Sequence, residues 1–555
     1  MVEIRQEIAL MQAYPYPEKD FADVKLDQNE SGYDIPDWLK EKFASSLKQM
    51  PLNRYPDSSY RKLRELIAKK EGCNVENVIL GNGGDEILQM IALAYLSPKK
   101  SAITLVPTFS VYRMVCQMAG CKLEEASFDD DYKVPPDFAE KAGGKAVFLC
   151  NPNNPTGTII GKEMIGKIAK NAELVVLDEA YSEFMEWTYP ITPNIISVRT
   201  LSKAFCAAGV RLGFAIAPEQ LVSDMERVRM PWNIGALPQK MAELLLENPE
   251  WFQAQVGKAI AERKRVEDGL RQFAKVYPSG GNFLFAESKR ITYGRLIALG
   301  IKVRCWKNLP DFFRVTIGKK EENDIFLAAV DFLGNRMDAI IFDMDGTLVD
   351  VSKSYRAAIK KSVGEFSGKS IVEGDINELK ALPGFNNDWD VSYALSFGIK
   401  DPKKVDRQST GYQRIKDVFQ LAYLGEDGKG GLRELEIPLI SCEDLMALSK
   451  EFKLAIATSR PREEALWAMD KFFRNAFRPE MLVAMEDCKE EKPSPEPLLE
   501  AARRAGAKKA AYVGDSGSDS AAARAAKMPF VYIGKERRDE PLWLQNPADL
   551  RKVVL

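Results

Sequence analysis

The sequence predicts an α/β protein made of two successive units, each built on a parallel sheet. Three observations carry that reading. At 555 residues the chain exceeds what a single core holds. Short apolar runs ending in polar residues or turns alternate with helical stretches along its length, the pattern of a parallel sheet. At 331–351 the pattern restarts. A helix-like segment, 324–333, stops at Gly334-Asn335, residue types that end helices in the left-handed conformation. A fresh apolar run, Ala339-Ile340-Ile341-Phe342, then ends on Asp343-Met344-Asp345-Gly346-Thr347. Carboxylates at a strand's carboxyl end lie where open α/β sheets place ligands.

Composition narrows the chemistry. Charged residues at 28%, hydrophobic ones at 45% and a net charge of −2 describe an ordinary globular chain, with no basic excess to suggest a nucleic-acid partner. Residues 1–7 lack a signal-peptide pattern and no apolar run is long enough to span a bilayer, so a cytoplasmic protein without a membrane partner is expected. Eight cysteines with no C-x-x-C pair predict reduced thiols. The chain contains no histidine. That excludes Ser-His-Asp and Cys-His triads, H-E-x-x-H zinc sites and histidine bases, leaving lysine, carboxylates, tyrosine, backbone amides or a cofactor.

In the first half, Val78 to Met90 reads as a buried strand, the glycine turn Gly81-Asn82-Gly83-Gly84, and a helix opening on Asp85 and Glu86. Free amides at such a helix start favour a phosphate. The strand Ala146 to Leu149 runs into Asn151-Pro152-Asn153-Asn154-Pro155-Thr156-Gly157, and Leu174-Val175-Val176-Leu177 into Asp178-Glu179-Ala180-Tyr181. Arg199-Thr200-Leu201-Ser202-Lys203-Ala204-Phe205 follows, with Arg211 eight residues past the lysine. These strand ends converge on one crevice.

In this order the motifs resemble those of the fold-type-I aminotransferases that use pyridoxal phosphate (PLP), and most of all the histidinol-phosphate aminotransferases, over residues 1–334. The resemblance implies a large, parallel-dominated sheet domain with a small α/β domain. It implies Lys203 as the Schiff-base lysine and proton shuttle, Asp178 at the pyridine nitrogen, and Asn154 and Tyr181 at the ring's phenolic oxygen. Gly84, Asp85, Thr200 and Arg211 would hold the phosphate, and Phe109 would stack on the ring. Tyr55 would reach the cofactor phosphate of a neighbouring subunit, which predicts a homodimer. Arg314, in Phe313-Arg314-Val315, matches the arginine for the substrate carboxylate. Tyr16 and Asn29 are further substrate candidates, and Arg304 is either a substrate-phosphate ligand or a solvated strand-end charge.

The second half, 335–555, resembles the haloacid dehalogenase superfamily through four motifs. They are Asp343-Met344-Asp345-Gly346-Thr347, the strand Leu454 to Ala457 ending on Thr458, Glu491-Lys492-Pro493, and Gly514-Asp515-Ser516-Gly517-Ser518-Asp519. That resemblance implies a Rossmann-like core at 337–351 and 441–555, with an α-helical cap at 352–440. Asp343 would be the nucleophile and Asp345 the acid and base, two residues on and so on the same side of an extended strand end. Thr458 and Lys492 would bind phosphoryl oxygens, while Asp343, Asp515 and the Asp345 carbonyl would hold Mg²⁺. Asp519 is expected to support Lys492 or a metal-bound water. The cap loop at 382–390 either reads the leaving group or is a solvated connection.

Joined, the two halves predict a bifunctional enzyme of histidine biosynthesis. It would transaminate imidazole-acetol phosphate with glutamate, then hydrolyse L-histidinol phosphate to L-histidinol. The absence of histidine fits a chain translated while that amino acid is scarce. Two other readings stand beside it. One is a threonine-phosphate decarboxylase-like PLP enzyme fused to a phosphatase of other specificity. The other makes the C-terminal half a binding or oligomerisation module.

Overall fold

The structure is a computed structural model describing residues 2–9, 11, 13, 22–380, 382, 384–385 and 387–555. Tyr16 lies outside the described residues, as do Pro383 and Asn386 of the cap loop. The chain divides into two compact units, Met1–Tyr293 with Ile301–Leu327, and Gly294–Gly300 with Ala328–Leu555. The later division falls inside the helix Lys320–Gly334, while the sequence pattern changes at its end.

The first unit holds a seven-stranded sheet in the order Val78–Gly81, Gly213–Ile216, Ile195–Thr200, Leu174–Asp178, Ala146–Cys150, Ser101–Val106, Lys122–Ser127. Gly213–Ile216 runs antiparallel to both neighbours and the other pairings are parallel. Side chains alternate between two cores. Leu174 and Val176 join the one containing Tyr112, Ile87 and Ile91, whereas Val175 and Leu177 face Phe138 and Ile165. By the same alternation Asp178 points to the side of Tyr112. A five-stranded sheet, Val24–Leu26, Ile301–Trp306, Leu309–Thr316, Phe283–Glu287, Lys275–Tyr277, makes the smaller layer, its first pair parallel and the rest antiparallel.

The second unit is built on a six-stranded, all-parallel sheet in the order Leu482–Val483, Lys453–Ala457, Ala339–Phe342, Ala510–Gly514, Phe530–Ile533, Trp543–Leu544. The apolar run at Ala339–Phe342 is thus a central strand, covered on both faces, which is why it reads as continuously hydrophobic. Among its described residues the insert after it forms four α-helices, Tyr355–Ser367, Glu373–Lys380, Asp388–Phe397 and Thr410–Leu424, around a core of its own that includes Ile359, Val363, Val391 and Phe419. All eight cysteines are free thiols. Among the described residues no helix is long and apolar enough to cross a membrane.

Candidate active sites

In the first unit four strand ends bring their polar residues together. Asp178 ends its strand 5% exposed and is met by the Tyr112 hydroxyl at 2.7 Å and the Ala180 amide at 3.1 Å. Burial pushes its carboxyl up to about 6, against those hydrogen bonds. Neither partner is a cation, so the site offers a buried carboxylate with room for a positive ring nitrogen. Tyr112 is the residue that sequence reasoning missed. It stands one helical turn beyond Phe109, whose ring it meets edge-on at 5.7 Å, and that spacing was the available signal.

Lys203 is half-buried and its ammonium donates to the Gln28 carbonyl at 2.8 Å. Burial, and then Arg314 and Arg211, lower it to about 8. Arg314 is buried, donating to the Asn154 side-chain oxygen and to the Asp27 carbonyl at 2.5 Å. Asn29, at a positive φ of 53°, donates to the Tyr181 hydroxyl at 3.0 Å and accepts at its carbonyl from Asn282 at 3.1 Å. Asn29, Asn154, Tyr181 and Arg314 therefore line one pocket wall.

The phosphate-cradle candidates lie at the start of the helix Gly83–Tyr95. Arg211, itself left-handed at φ 56°, reaches Asp85 at 3.3 Å and the Ser202 hydroxyl at 3.4 Å, and Thr200 donates to Ser202 at 2.9 Å. Gly213 explains how the backbones come so close. A Cβ there would stand 2.4 Å from the Gly83 carbonyl carbon and 2.5 Å from the Gly84 nitrogen, so only glycine fits. Helix-start amides, a forked arginine and two hydroxyls match a phosphomonoester. Together with the cation-free carboxylate at Asp178, they fit PLP.

Two other sequence candidates are exposed. Tyr55 is 78% exposed, its ring stacked on Trp232 at 4.4 Å, and makes no hydrogen bond to the pocket residues. Arg304 is exposed on the strand Ile301–Trp306, in register with Arg314.

In the second unit the strand Ala339–Phe342 delivers Asp343 to the Lys492 ammonium at 2.6 Å. Lys492 also donates to Asp519 at 2.7 Å and to the Tyr512 hydroxyl at 3.0 Å. Asp519 is fully engaged, since Tyr512 donates to one oxygen and the Ser516 amide and hydroxyl to the other. Thr458 is buried, its hydroxyl accepting from the Arg460 amide at 3.2 Å. Carboxylate oxygens of Asp343, Asp515 and Asp519 lie within 4.8 Å of one another. Burial raises the Asp343 carboxyl well above its ordinary range, with Lys492 opposing and Asp519 and Asp515 adding to the rise. Burial and Asp519 likewise raise Asp515.

Three carboxylates against one lysine leave negative charge for a cation. Asp343 and Asp515 are the two whose oxygens are not already saturated, and hard oxygen donors suit Mg²⁺. Gly346, at φ 75°, makes room for this arrangement: a Cβ there would fall 2.0 Å from an Asp515 oxygen. The Asp345 carboxylate accepts from the buried Arg460 guanidinium.

The chain matches the family "Aminotransferase class I and II" over residues 22–330, more than half its length. It belongs to the class I and II aminotransferases. Residues 337–527 match "haloacid dehalogenase-like hydrolase", so this aminotransferase carries a hydrolase domain behind it, and the chain is an enzyme with transaminase and phosphatase activities. A histidinol-phosphate aminotransferase of Thermococcus kodakarensis is 36% identical over 335 residues, 59% of this chain and 97% of that protein. One from Gloeobacter violaceus is 35% identical over 340 residues, 59% of this chain and 96% of that protein. Among solved structures, the aminotransferase fold is shared with a histidinol-phosphate aminotransferase of Sinorhizobium meliloti in complex with PLP. Its TM-score is 0.54 at 21% identity, covering 60% of this chain and 98% of that one. The L-threonine-O-3-phosphate decarboxylase of Porphyromonas gingivalis has a TM-score of 0.50 at 21% identity, covering 56% and 98%.

Proposed function

We propose that the first unit uses PLP to transaminate imidazole-acetol phosphate with glutamate, and that the second hydrolyses the resulting L-histidinol phosphate with Mg²⁺. The observation that carries the first half is the convergence of Lys203, Asp178, Asn154, Tyr181 and Arg314 in a chain 36% identical to a histidinol-phosphate aminotransferase. When bound, PLP supplies an aldehyde that takes up the amino group and a ring that draws electrons from the substrate's α-carbon. Asp178 keeps the ring nitrogen positive. Arg314 holds the substrate carboxylate by its fork, displacing its contacts to Asn154 and Asp27. Lys203, with its amine lowered to about 8, is neutral often enough near pH 7 to take the α-proton and return it. Tyr55 would complete the site of a second copy, a role its exposure supports.

In the second unit an Asp343 oxygen attacks phosphorus as the bond to the leaving oxygen breaks, and Asp345 gives that oxygen its proton. Asp345 then takes a proton from water, whose oxygen attacks the aspartyl-phosphate and frees inorganic phosphate and Asp343. Thr458 and Lys492 hold the phosphoryl oxygens, while Mg²⁺, carried by Asp343, Asp515 and the Asp345 carbonyl, would offset the crowded negative charge.

The test is a coupled assay of the full chain with imidazole-acetol phosphate, glutamate and Mg²⁺, following 2-oxoglutarate and phosphate together. Both should appear, and Asp343→Asn should abolish only the phosphate. Phosphate release from histidinol phosphate no faster than from a panel of sugar phosphates would refute the second half. Failure of glutamate to convert the cofactor to its pyridoxamine form would favour a decarboxylase.

A further inference from the structure

One buried cation of the second unit has no part in the steps above. Arg460 lies two residues past Thr458 and is 2% exposed, among the largest fully buried side chains of the protein. Its Nε donates to an Asp345 carboxylate oxygen. Its Nη1 donates to Glu436 at 3.1 Å and to the Tyr423 hydroxyl at 3.4 Å, and its guanidinium carbon lies 5.0 Å from the centre of the Tyr355 ring. Those partners are themselves fastened. Glu436 is buried and accepts from the Ser354 hydroxyl at 2.8 Å and from Tyr423 at 3.0 Å. Tyr355 and Tyr423 stack at 4.5 Å with 5° between their planes, and the Tyr355 hydroxyl donates to Glu464, which Gln420 also meets at 3.0 Å.

Apart from Asp345, everything that fixes Arg460 side-on comes from the helical insert. Tyr355 opens its first helix, Tyr423 lies in the helix Thr410–Leu424, and Glu436 follows the turn Leu432–Leu435 on the return to the core. A guanidinium cannot shed its proton when buried, so it must be neutralised, and its planar fork dictates where the neutralising carboxylates sit. Glu436 supplies that charge. Asp345 accepts from Nε, ionised or protonated, and is held in one orientation by doing so.

We infer that Arg460 is a positioning residue of the phosphatase: it sets the Asp345 carboxyl for proton transfer to the leaving oxygen, and takes its own place from Glu436, Tyr423 and Tyr355 of the insert. The inference rests on the proposed phosphatase reading, in which Asp345 protonates the leaving group. The insert then governs the chemistry as well as access to it. A proton matters only to a leaving group that departs poorly as an anion. An alkoxide needs one as the P–O bond breaks, whereas p-nitrophenolate leaves without it. Misplacing Asp345 should therefore penalise alkyl esters selectively, which a purely structural Arg460 would not do.

The experiment compares L-histidinol phosphate with p-nitrophenyl phosphate, both with Mg²⁺, on the full chain and on Arg460→Met, Arg460→Lys and Glu436→Gln. In single turnovers, which report formation of the aspartyl-phosphate and not its later hydrolysis, Arg460→Met should slow release of histidinol by about a hundredfold, the lower range of general-acid contributions, and release of p-nitrophenolate by less than about fivefold. Arg460→Lys should recover part of the difference, and Glu436→Gln should show the same split in smaller measure. If Arg460→Met does not fold, as judged by loss of the second unit's thermal transition, the other two variants must still show the split. Equal losses on both esters, a change confined to KM, or no change overturns the inference. An unaltered chain that hydrolyses glycerol phosphate but not histidinol phosphate refutes the proposed substrate alone, and the comparison then runs on glycerol phosphate. One that hydrolyses no alkyl ester overturns both.

Discussion

Replacing Lys492 by methionine keeps an unbranched side chain one atom shorter and removes a charge from between two buried carboxylates. In the native protein its ammonium lies 2.6 Å from Asp343 and 2.7 Å from Asp519, with side-chain exposures of 6%, 7% and 1% for the three. Breaking a buried pair from one side costs about 3–5 kcal/mol. The variant has one escape, which is to protonate Asp343, whose carboxyl burial already raises. Forcing a proton at pH 7 onto an aspartate of unfolded pKa about 3.9 costs about 4 kcal/mol, at 1.36 kcal/mol for each pH unit. The two routes agree. Because the folded carboxyl would be protonated and the unfolded one ionised, the penalty grows with pH, from about 1.5 kcal/mol at pH 5 to about 4 at pH 7. For a unit of this size that is a drop of about 8–16 °C at pH 7 in the second unit's melting transition, measured by calorimetry in EDTA. Transamination by the same sample would show the first unit intact. A loss below about 2 kcal/mol at pH 7, or one that does not shrink toward pH 5, would refute the charge argument.

Asp178→Asn should weaken PLP binding about ten- to a hundredfold in equilibrium dialysis, the worth of one hydrogen bond between charged partners. Unchanged affinity would separate Asp178 from the ring nitrogen. Reconstitution of the PLP-free protein should speed up as pH rises through about 8, where Lys203 loses its proton, and fall about tenfold for each pH unit below. Lys203→Ala should abolish transamination while phosphate release continues. Saturating Mg²⁺ should raise the second unit's melting transition, by about 2.7 kcal/mol of stability at a hundred times its Kd, and Asp515→Asn should remove most of that gain.

The strand ends were legible because their chemistry is local. Continuous apolar runs had to be central strands, and the polar residue closing each, Asp178 or Asp343, had to stand at the sheet's carboxyl edge. What stayed hidden were partnerships between elements distant in sequence. Tyr112 meets Asp178 across 66 residues and Arg460 meets Asp345 across 115, and neither pairing leaves a motif. The arginine did leave a trace, since a residue two past Thr458 shares its side of an extended strand end. The same limit applies to Arg199, buried between Glu71 and Glu179 in the first unit: as sequence it is one more charge before Thr200. The helix does stop at the Gly334-Asn335 pair, but without the left-handed cap expected there: Gly334 is its last helical residue and neither has a positive φ.

A protein with no imidazole is nearly silent to acid and base around neutrality. Its buried thiols, Cys116 and Cys150 among them, are driven upward by burial. Groups drawn into that range include two of the first reaction centre, Asp178 near 6 and Lys203 near 8. Proton release measured as PLP is added would then report that centre with no histidine contributing to the signal.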